Sequence, residues 1–312
     1  MGIPSGLEYL IDYLPFYIED CLARGQSDKT TYTKENLLNM FLNWGATQHV
    51  TKVTDLSIDV LEEYRRHLYR HRKSDGQPLQ LSTQRMRLMA ITGFLKFLDY
   101  YDVLATDFYK KFTLPRVPRR LPKQIPEFEE IELILRQTEV AGALRLRDRT
   151  ILELLYASGI RRCEAVKLDT LDIDFNHSTL TIRKGKGSLD RVVPIAERTQ
   201  KWLKRYLKEL RPKLSSISSG EALFLDIHGG RLKDSALTEL VGNYVLRSGV
   251  VKQGACHLFR HTSATHMMRN GADIRYIQEF LGHQDINSTM IYTHVTINDL
   301  SEAYSECHPA AK

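Results

Sequence analysis

The first 112 residues carry apolar side chains at intervals of three, four and five residues, as one face of a helix does. The pattern is clearest in three segments, 30–44, 56–72 and 82–101. In the last of these, Ser82 stands where an N-cap residue would start a helix. We therefore predict a small helical domain of about four helices.

Beyond residue 126 the spacing changes repeatedly. Segments 127–138 and 146–159 have helical spacing, and so does most of the chain from 197 to 282. Between them lie three short runs typical of strands, "LDIDF", "STLTIR" and "RVVPI", joined by turns at Asn176-His177 and at a Gly-Lys-Gly sequence. This pattern predicts a mainly α fold with a small antiparallel β-sheet, in the α+β class.

The segment 113–126, "TLPRVPRRLPKQIP", separates the two parts. Four of the ten prolines of the chain lie here. Proline fixes φ and removes a backbone donor, so neither a helix nor a central strand can run through the segment. We predict three parts: a helical N-terminal domain over 1–112, an extended linker over 113–126 and a second domain over 127–312.

The charge distribution points weakly to a polyanionic partner. The net charge is +6 and the isoelectric point is about 9.0, and the excess lies entirely beyond residue 112. The run "YRRHLYRHRK" over 64–73 is either a solvated helix face or a phosphate-binding patch. The candidate DNA-binding cations of the helices and the linker are Arg65, Arg66, Arg70, Arg72, Lys73, Arg85, Arg87, Arg116, Arg119, Arg120 and Lys123.

Composition and cysteine spacing indicate the compartment. No apolar run approaches the roughly 18 residues that a membrane-spanning helix needs. The four cysteines form no Cys-x-x-Cys pair, which favours reduced thiols over a disulfide framework. We therefore expect a cytoplasmic protein.

Four segments of the second domain carry polar residues that a packed core would not require. Each residue alone has an ordinary interpretation, such as an arginine at a helix end or a solvated lysine in a turn. His257 and Arg260 stand three residues apart and so share a helix face. The full set is Arg161 with Glu164 nearby, Lys186, His257 with Arg260, and His283 with Tyr292.

Two arginines, a lysine, two histidines and a tyrosine suit the chemistry of a phosphodiester. Arginine binds the non-bridging oxygens as charge grows on them, and a phenol can act as the nucleophile. A lysine at a hairpin tip can protonate the leaving oxygen. Histidines at 257, 261 and 266 do not match a zinc-binding spacing, so we expect no metal and no cofactor.

These residues resemble the tyrosine recombinases, also called the phage-integrase family. The resemblance rests on "LLYASGIR", "GKG", "HLFRHTSATHMM" and "ADIRYIQEFLGHQDINSTMIYTHV", in the order of the family, and the size and layout are similar to the Xer branch. It implies that Tyr292 is the nucleophile and Lys186 the general acid, with Lys184 as the alternative acid. The phosphate and proton-handling residues it implies are Arg161, Arg260, His257 and His283, with Glu164 supporting the first arginine.

The same resemblance implies the wider mechanism. It implies a C-shaped clamp around double-stranded DNA, formed by a core-binding domain and a catalytic domain, with inverted-repeat core sites. Four protomers would exchange strands through a covalent 3′-phosphotyrosine and a Holliday junction, as a homotetramer or with a paralogue. Two other functions stay open from the residues alone, a monomeric relaxase of the topoisomerase IB type and an inactive DNA-binding relative.

Overall fold

The computed structural model describes residues 6–118, 125–139, 142–183, 190–251 and 254–282. These residues form two compact units that divide the chain between residues 119 and 120. The structure is mainly α-helical with one small sheet, as predicted. The domain limits at 112 and 127 remain a prediction.

The first unit is built on four α-helices that bury one apolar face each. Its core includes Leu38, Phe41, Leu61 and Phe94, each with no more than 1% of its surface exposed. Hydroxyl groups cap two of the helices: the backbone nitrogen of Thr30 donates to Oγ of Ser27, and that of Val60 donates to Oγ of Ser57. The helices are α1 (Leu14–Ala23), α2 (Asp28–Thr47), α3 (Ile58–Arg70) and α4 (Leu81–Tyr100).

The predicted N-cap at Ser82 is wrong. Helix α4 begins at Leu81, after an extended Gln80 whose side chain forms no cap. The buried Gln84 explains the earlier start, since its backbone nitrogen donates to the carbonyl of Gln80 and its side chain donates to that of Leu79. Ser82 is therefore the second residue of the helix.

The second unit places a three-stranded sheet beside eight helices of the described residues. The sheet is antiparallel in the order β1-β2-β3, with Leu180 paired to Val193 and Ile182 to Arg191. The strands are β1 (Ile173–Asp174), β2 (Thr179–Ile182) and β3 (Arg191–Pro194). The helices are α5 (Phe128–Arg136), α6 (Arg145–Ser158), α7 (Arg162–Ala165), α8 (Glu197–Arg205), α9 (Arg211–Leu214), α10 (Asp234–Arg247), α11 (Cys256–Arg269) and α12 (Ile274–Leu281).

Two glycines end the helices that position the candidate site. Gly159 ends α6 and Gly282 ends α12, both in the left-handed conformation, with φ of 55° and 63°. A Cβ on Gly159 would lie 3.0 Å from the side chains of Leu281 and Phe280, so the two helix ends are in close contact. Helix α11 packs on α6 and α12. The C-termini of α6 and α12 therefore meet beside α11.

Helix length and hydropathy bear on the membrane question. Within the described ranges, no helix is both long enough and apolar enough to cross a membrane.

Candidate active site

Arg161 lies two residues after Gly159, the C-cap of α6, and directly before α7. Its backbone nitrogen donates to Oε2 of Glu164 at 2.7 Å, and its Nη1 donates to Oε1 of the same residue at 2.9 Å. Nη2 donates to the carbonyl of Gly282 at 3.0 Å. The side chain is 18% exposed, so these three hydrogen bonds hold a largely buried side chain.

Glu164 is the buried carboxylate that organises this corner. Its side chain is 3% exposed and also accepts two hydrogen bonds from Arg191, at 3.0 and 2.8 Å. Burial alone would raise the pKa of the carboxyl. The hydrogen bonds from Arg191 and Arg161 outweigh that effect and lower the pKa from 4.5 to about 2. Glu164 is therefore an anion at neutral pH, and its contribution to stability is lost only as the pH falls from about 4.5 towards 2.

Arg260 joins the two helix ends. It lies in the second turn of α11 and is 4% exposed. Nη1 donates to the carbonyl of Gly159 at 2.5 Å and Nη2 to that of Leu281 at 2.7 Å. Carbonyls at a helix C-terminus have no partner inside the helix and carry partial negative charge. An arginine there therefore supplies the missing hydrogen bonds and also a favourable charge interaction.

The structure brings Arg161 and Arg260 to the same helix end, and their catalytic roles remain predictions. Arg260 binds the carbonyl of Leu281 and Arg161 binds that of the next residue, Gly282. Because consecutive carbonyls of one helix end accept hydrogen bonds from them, the two guanidinium groups approach the same end of α12. Such a pair can bind two oxygens of one phosphate.

His257 lies in the first turn of α11, one turn before Arg260, and is exposed to solvent. Partial desolvation lowers the pKa of its imidazole below the usual value. Nearby cations lower the pKa further, and these are Arg260, Arg162 and Arg161. A neutral imidazole beside a phosphate site is able to accept a proton.

A later histidine of α11, His266, has different hydrogen-bond partners. His266 is hydrogen-bonded through Nδ1 to the hydroxyl of Tyr156 at 2.8 Å and through Nε2 to the carbonyl of Pro126 at 3.0 Å. Since a carbonyl can only accept, Nε2 carries the proton. Across the part of the chain that the structure describes, no group of three or more potential metal ligands lies together.

Three of the six predicted catalytic residues, Lys186, His283 and Tyr292, lie outside the described residues, as does Lys184. Their roles remain predictions. Chain position still ties one of them to the site, because His283 directly follows Gly282, whose carbonyl binds Arg161.

The predicted DNA-binding cations differ in exposure and in the partners that they bind. Arg85 donates to the carbonyl of Pro115 at 2.9 Å, and Arg72 donates to three carbonyls at the end of α3. Three more of these cations have partners within the first unit: Arg65 pairs with Glu62, Arg66 donates to the carbonyl of Glu62, and Lys73 pairs with Asp75. Half-buried positions are Arg65, Arg85 and Arg87, exposed ones are Arg66, Arg70, Arg72, Lys73 and Arg116, and those outside the described residues are Arg119, Arg120 and Lys123. DNA contact by any of them stays a prediction.

Arg191 is the residue of the site that the sequence analysis missed. Its guanidinium binds both oxygens of Glu164, and its Nε donates to the carbonyl of Phe280 at 3.3 Å. One signal was present, since alternation along "RVVPI" places Arg191 on the same side as the buried Val193. An arginine on the inward face of a strand needs a buried partner.

We predict that Gly282→Ala slows DNA cleavage by at least about tenfold, because a small displacement at an active site is costly. The alanine would be strained at the φ of 63°, and its Cβ would lie 2.9 Å from Cδ of Arg191. The measurement is the rate at which a covalent protein–DNA complex forms.

Gly271→Ala is the matched control for this substitution. Gly271 also has a positive φ, of 85°, but no atom lies within 4 Å of its missing Cβ. Both variants should unfold at a lower temperature, and only Gly282→Ala should cleave slowly. Equal cleavage rates in the two variants would contradict the proposed importance of this contact.

Comparison with known families gives one match over most of the second unit. The model of the family described as Phage integrase family matches residues 126–299. That range is more than half of the chain and contains Arg161, Arg260 and Tyr292 together with the elements that surround the site.

Curated proteins and solved structures agree with this match. Tyrosine recombinase XerC 2 of Ralstonia nicotianae is 38% identical over 301 residues, which are 96% of this chain and 86% of that protein. Tyrosine recombinase XerD of Lacticaseibacillus casei is 32% identical over 92% of this chain and 95% of that protein. The structure of XerH site-specific recombinase bound to its difH substrate covers 94% of this chain and 84% of that chain, with a TM-score of 0.70. Its identity is 23%, so this likeness shows the fold.

Proposed function

The chain belongs to the phage integrase family, as a tyrosine recombinase of the Xer branch, and from this premise we propose how its residues cut and rejoin DNA. It is a site-specific recombinase that acts on DNA. In the proposed reaction the Tyr292 phenol attacks the scissile phosphodiester. A bond forms between the phenol oxygen and the 3′ phosphate, and the bond to the 5′ oxygen breaks. The phosphoester is conserved in the adduct, so rejoining needs no ATP.

The observation that carries this proposal is the pair of arginines that bind carbonyls at the ends of α6 and α12. Arg161 and Arg260 are held by the adjacent carbonyls of Gly282 and Leu281. Their positive charge is fixed before substrate arrives, which is what stabilises charge that grows on non-bridging oxygens during in-line attack. Side-chain cations then do the work that metal ions do in two-metal nucleases.

Proton transfers fall to three residues in this proposal. Lys186 protonates the departing 5′ oxygen, since an alkoxide is a poor leaving group. His257, whose imidazole has a lowered pKa, accepts the proton that the attacking phenol of Tyr292 gives up. His283, next to Gly282, hydrogen-bonds the phosphate. Glu164 makes no contact with DNA and instead holds Arg161.

The assembly belongs to the proposal as well. Four protomers bind two DNA sites, each made of inverted repeats, and exchange one pair of strands at a time through a Holliday junction. The tetramer is formed by this chain alone or with a paralogue. The segment after Tyr292 packs on the neighbouring protomer, and the reaction takes place in the cytoplasm.

Recombination is tested by counting DNA sites. The DNA that remains covalently attached to the protein in cells is sequenced to find the site, which is then cloned in one or two copies on a supercoiled plasmid. We expect recombinant products only from the plasmid with two sites, because strand exchange needs a partner duplex. Rapid relaxation of the one-site plasmid, without recombinants from the two-site plasmid, would instead identify a relaxase.

A further inference from the structure

Arg191 connects three parts of the second unit with one side chain. It begins strand β3, it binds Glu164 in α7, and it binds the carbonyl of Phe280 near the end of α12. In sequence it stands five residues after Lys186. A single guanidinium therefore joins the base of the predicted Lys186 hairpin to the residue that holds Arg161 and to the helix that precedes His283.

The geometry of this contact is specific to arginine. Nη1 and Nη2 donate to the two carboxylate oxygens of Glu164 at 3.0 and 2.8 Å, while Nε donates to Phe280 at 3.3 Å. The side chains are 11% and 3% exposed for Arg191 and Glu164, so water does not replace these bonds easily. Lysine carries a single point charge and cannot make this planar set of contacts.

Arg191 also sets the net charge of the cluster that it forms with Glu164 and Arg161. Glu164 is one carboxylate shared by two guanidinium groups, those of Arg161 and Arg191. With Arg191 present, the cluster keeps a net positive charge beside Arg161. Without it, the buried carboxylate would pair with Arg161 alone and neutralise the cation that is proposed to bind the phosphate.

Arg191 also lies against the last turn of α12. The close approach of its side chain is possible because Gly282 has no Cβ, which would otherwise lie 2.9 Å from Cδ of Arg191. Gly282 is also the acceptor for Arg161. The last turn of α12 is thus held from two directions, directly before the segment that carries His283 and Tyr292.

We propose that Arg191 is a positioning residue of the recombination reaction, which acts through Glu164 and the end of α12 to orient Arg161 and to leave its charge available to the scissile phosphate. This proposal rests on the proposed function, in which Arg161 binds that phosphate. Arg191 itself does not touch the reacting atoms.

The test replaces Arg191 by methionine, which keeps an unbranched side chain and removes the charge. We expect covalent-complex formation on a phosphodiester substrate to fall about 100-fold, the scale of a misplaced active-site group. The dissociation constant for DNA should change less than about threefold, since one phosphate contact among many is affected. Arg198→Met is the matched control, because Arg198 binds Glu132 and Glu153 in a similar way but contacts no residue of the cluster.

A methylphosphonate at the scissile position separates a positioning role from a general loss of structure. This probe replaces one charged oxygen by a methyl group, so it needs less positive charge from the protein. The defects of Arg161→Ala and Arg191→Met, each relative to wild type on the same substrate, should both shrink by the same factor on this probe. An equal Arg191→Met defect on both substrates would overturn the proposal.

A double-mutant cycle gives an independent readout. If Arg191 acts through Arg161, then Arg191→Met should slow cleavage much less in an Arg161→Ala background than in the wild type. Fully multiplicative defects would overturn the proposal. Should Arg191→Met fail to fold, Arg191→Met/Glu164→Gln removes the buried charge as well and should fold. Its cluster has the same net charge as in the wild type, so it should still cleave slowly only because Arg161 and the end of α12 are no longer oriented.

The two proposals fail in different ways. If wild-type protein forms no covalent complex on its own site, the proposed function fails. Suppose instead that the wild type forms the complex. If Arg191→Met or Arg191→Met/Glu164→Gln then forms it at the wild-type rate, only the proposed role of Arg191 fails.

Discussion

Tyr292→Phe binds DNA with wild-type affinity and forms no covalent complex. The substitution removes only the phenol oxygen, the atom proposed to attack phosphorus, and keeps the aromatic ring. Cleavage should fall below detection, because the attacking atom of the proposed reaction is gone. The measurements are DNA binding by gel shift and covalent adduct by denaturing electrophoresis.

Two controls accompany this variant. Tyr276→Phe makes the same change at an exposed tyrosine of α12, which is 70% exposed, and should cleave at the wild-type rate. His294→Ala tests the histidine two residues after Tyr292, which we expect to be structural, and should lose far less activity than Tyr292→Phe. Adduct formation by Tyr292→Phe would show that another residue is the nucleophile.

Lys186→Ala cleaves an ordinary phosphodiester about 10²- to 10⁴-fold more slowly than wild type, the range expected when a general acid is lost. The same variant recovers on a substrate whose bridging 5′ oxygen is replaced by sulfur. A thiolate leaves without protonation, so the missing acid no longer limits the reaction. Single-turnover cleavage of the two substrates measures both effects.

Lys184→Ala is the matched control within the predicted hairpin. Lys184 lies two residues before Lys186 and carries the same charge, so any general loss of basic charge affects both variants alike. We expect Lys184→Ala to be close to wild type on both substrates. Sulfur rescue of Lys184→Ala, without rescue of Lys186→Ala, would move the role of general acid to Lys184.

The regular parts of the fold could be predicted because apolar spacing directly reflects buried helix and strand faces. The finer departures depend on particular contacts. Helical spacing was predicted over most of the chain from 197 to 282, but α8 runs into a wider π-helical turn, Tyr206–Leu210, before α9 begins. Pro212 in α9 cannot donate a hydrogen bond to the preceding turn, and its ring crowds that turn. Gln84 displaced the predicted start of α4 for a similarly local reason.

The site could be predicted only in part. The sequence placed Arg161 after a glycine-ended helix and Arg260 near the start of another, and the structure brings them together. Arg191 could not be assigned in the same way. Its partners Glu164 and Phe280 are 27 and 89 residues away, and no local pattern shows that the three meet. Side-chain contacts between distant segments arise only once the chain is packed.

Mass spectrometry of the trapped covalent complex tests the central claim most directly. After nuclease and protease digestion, the peptide that contains Tyr292 should carry a nucleotide joined through its 3′ phosphate to the phenol oxygen, with a free 5′ hydroxyl on the other side of the break. A nucleotide on a different residue, or one joined through a 5′ phosphate, would contradict the mechanism.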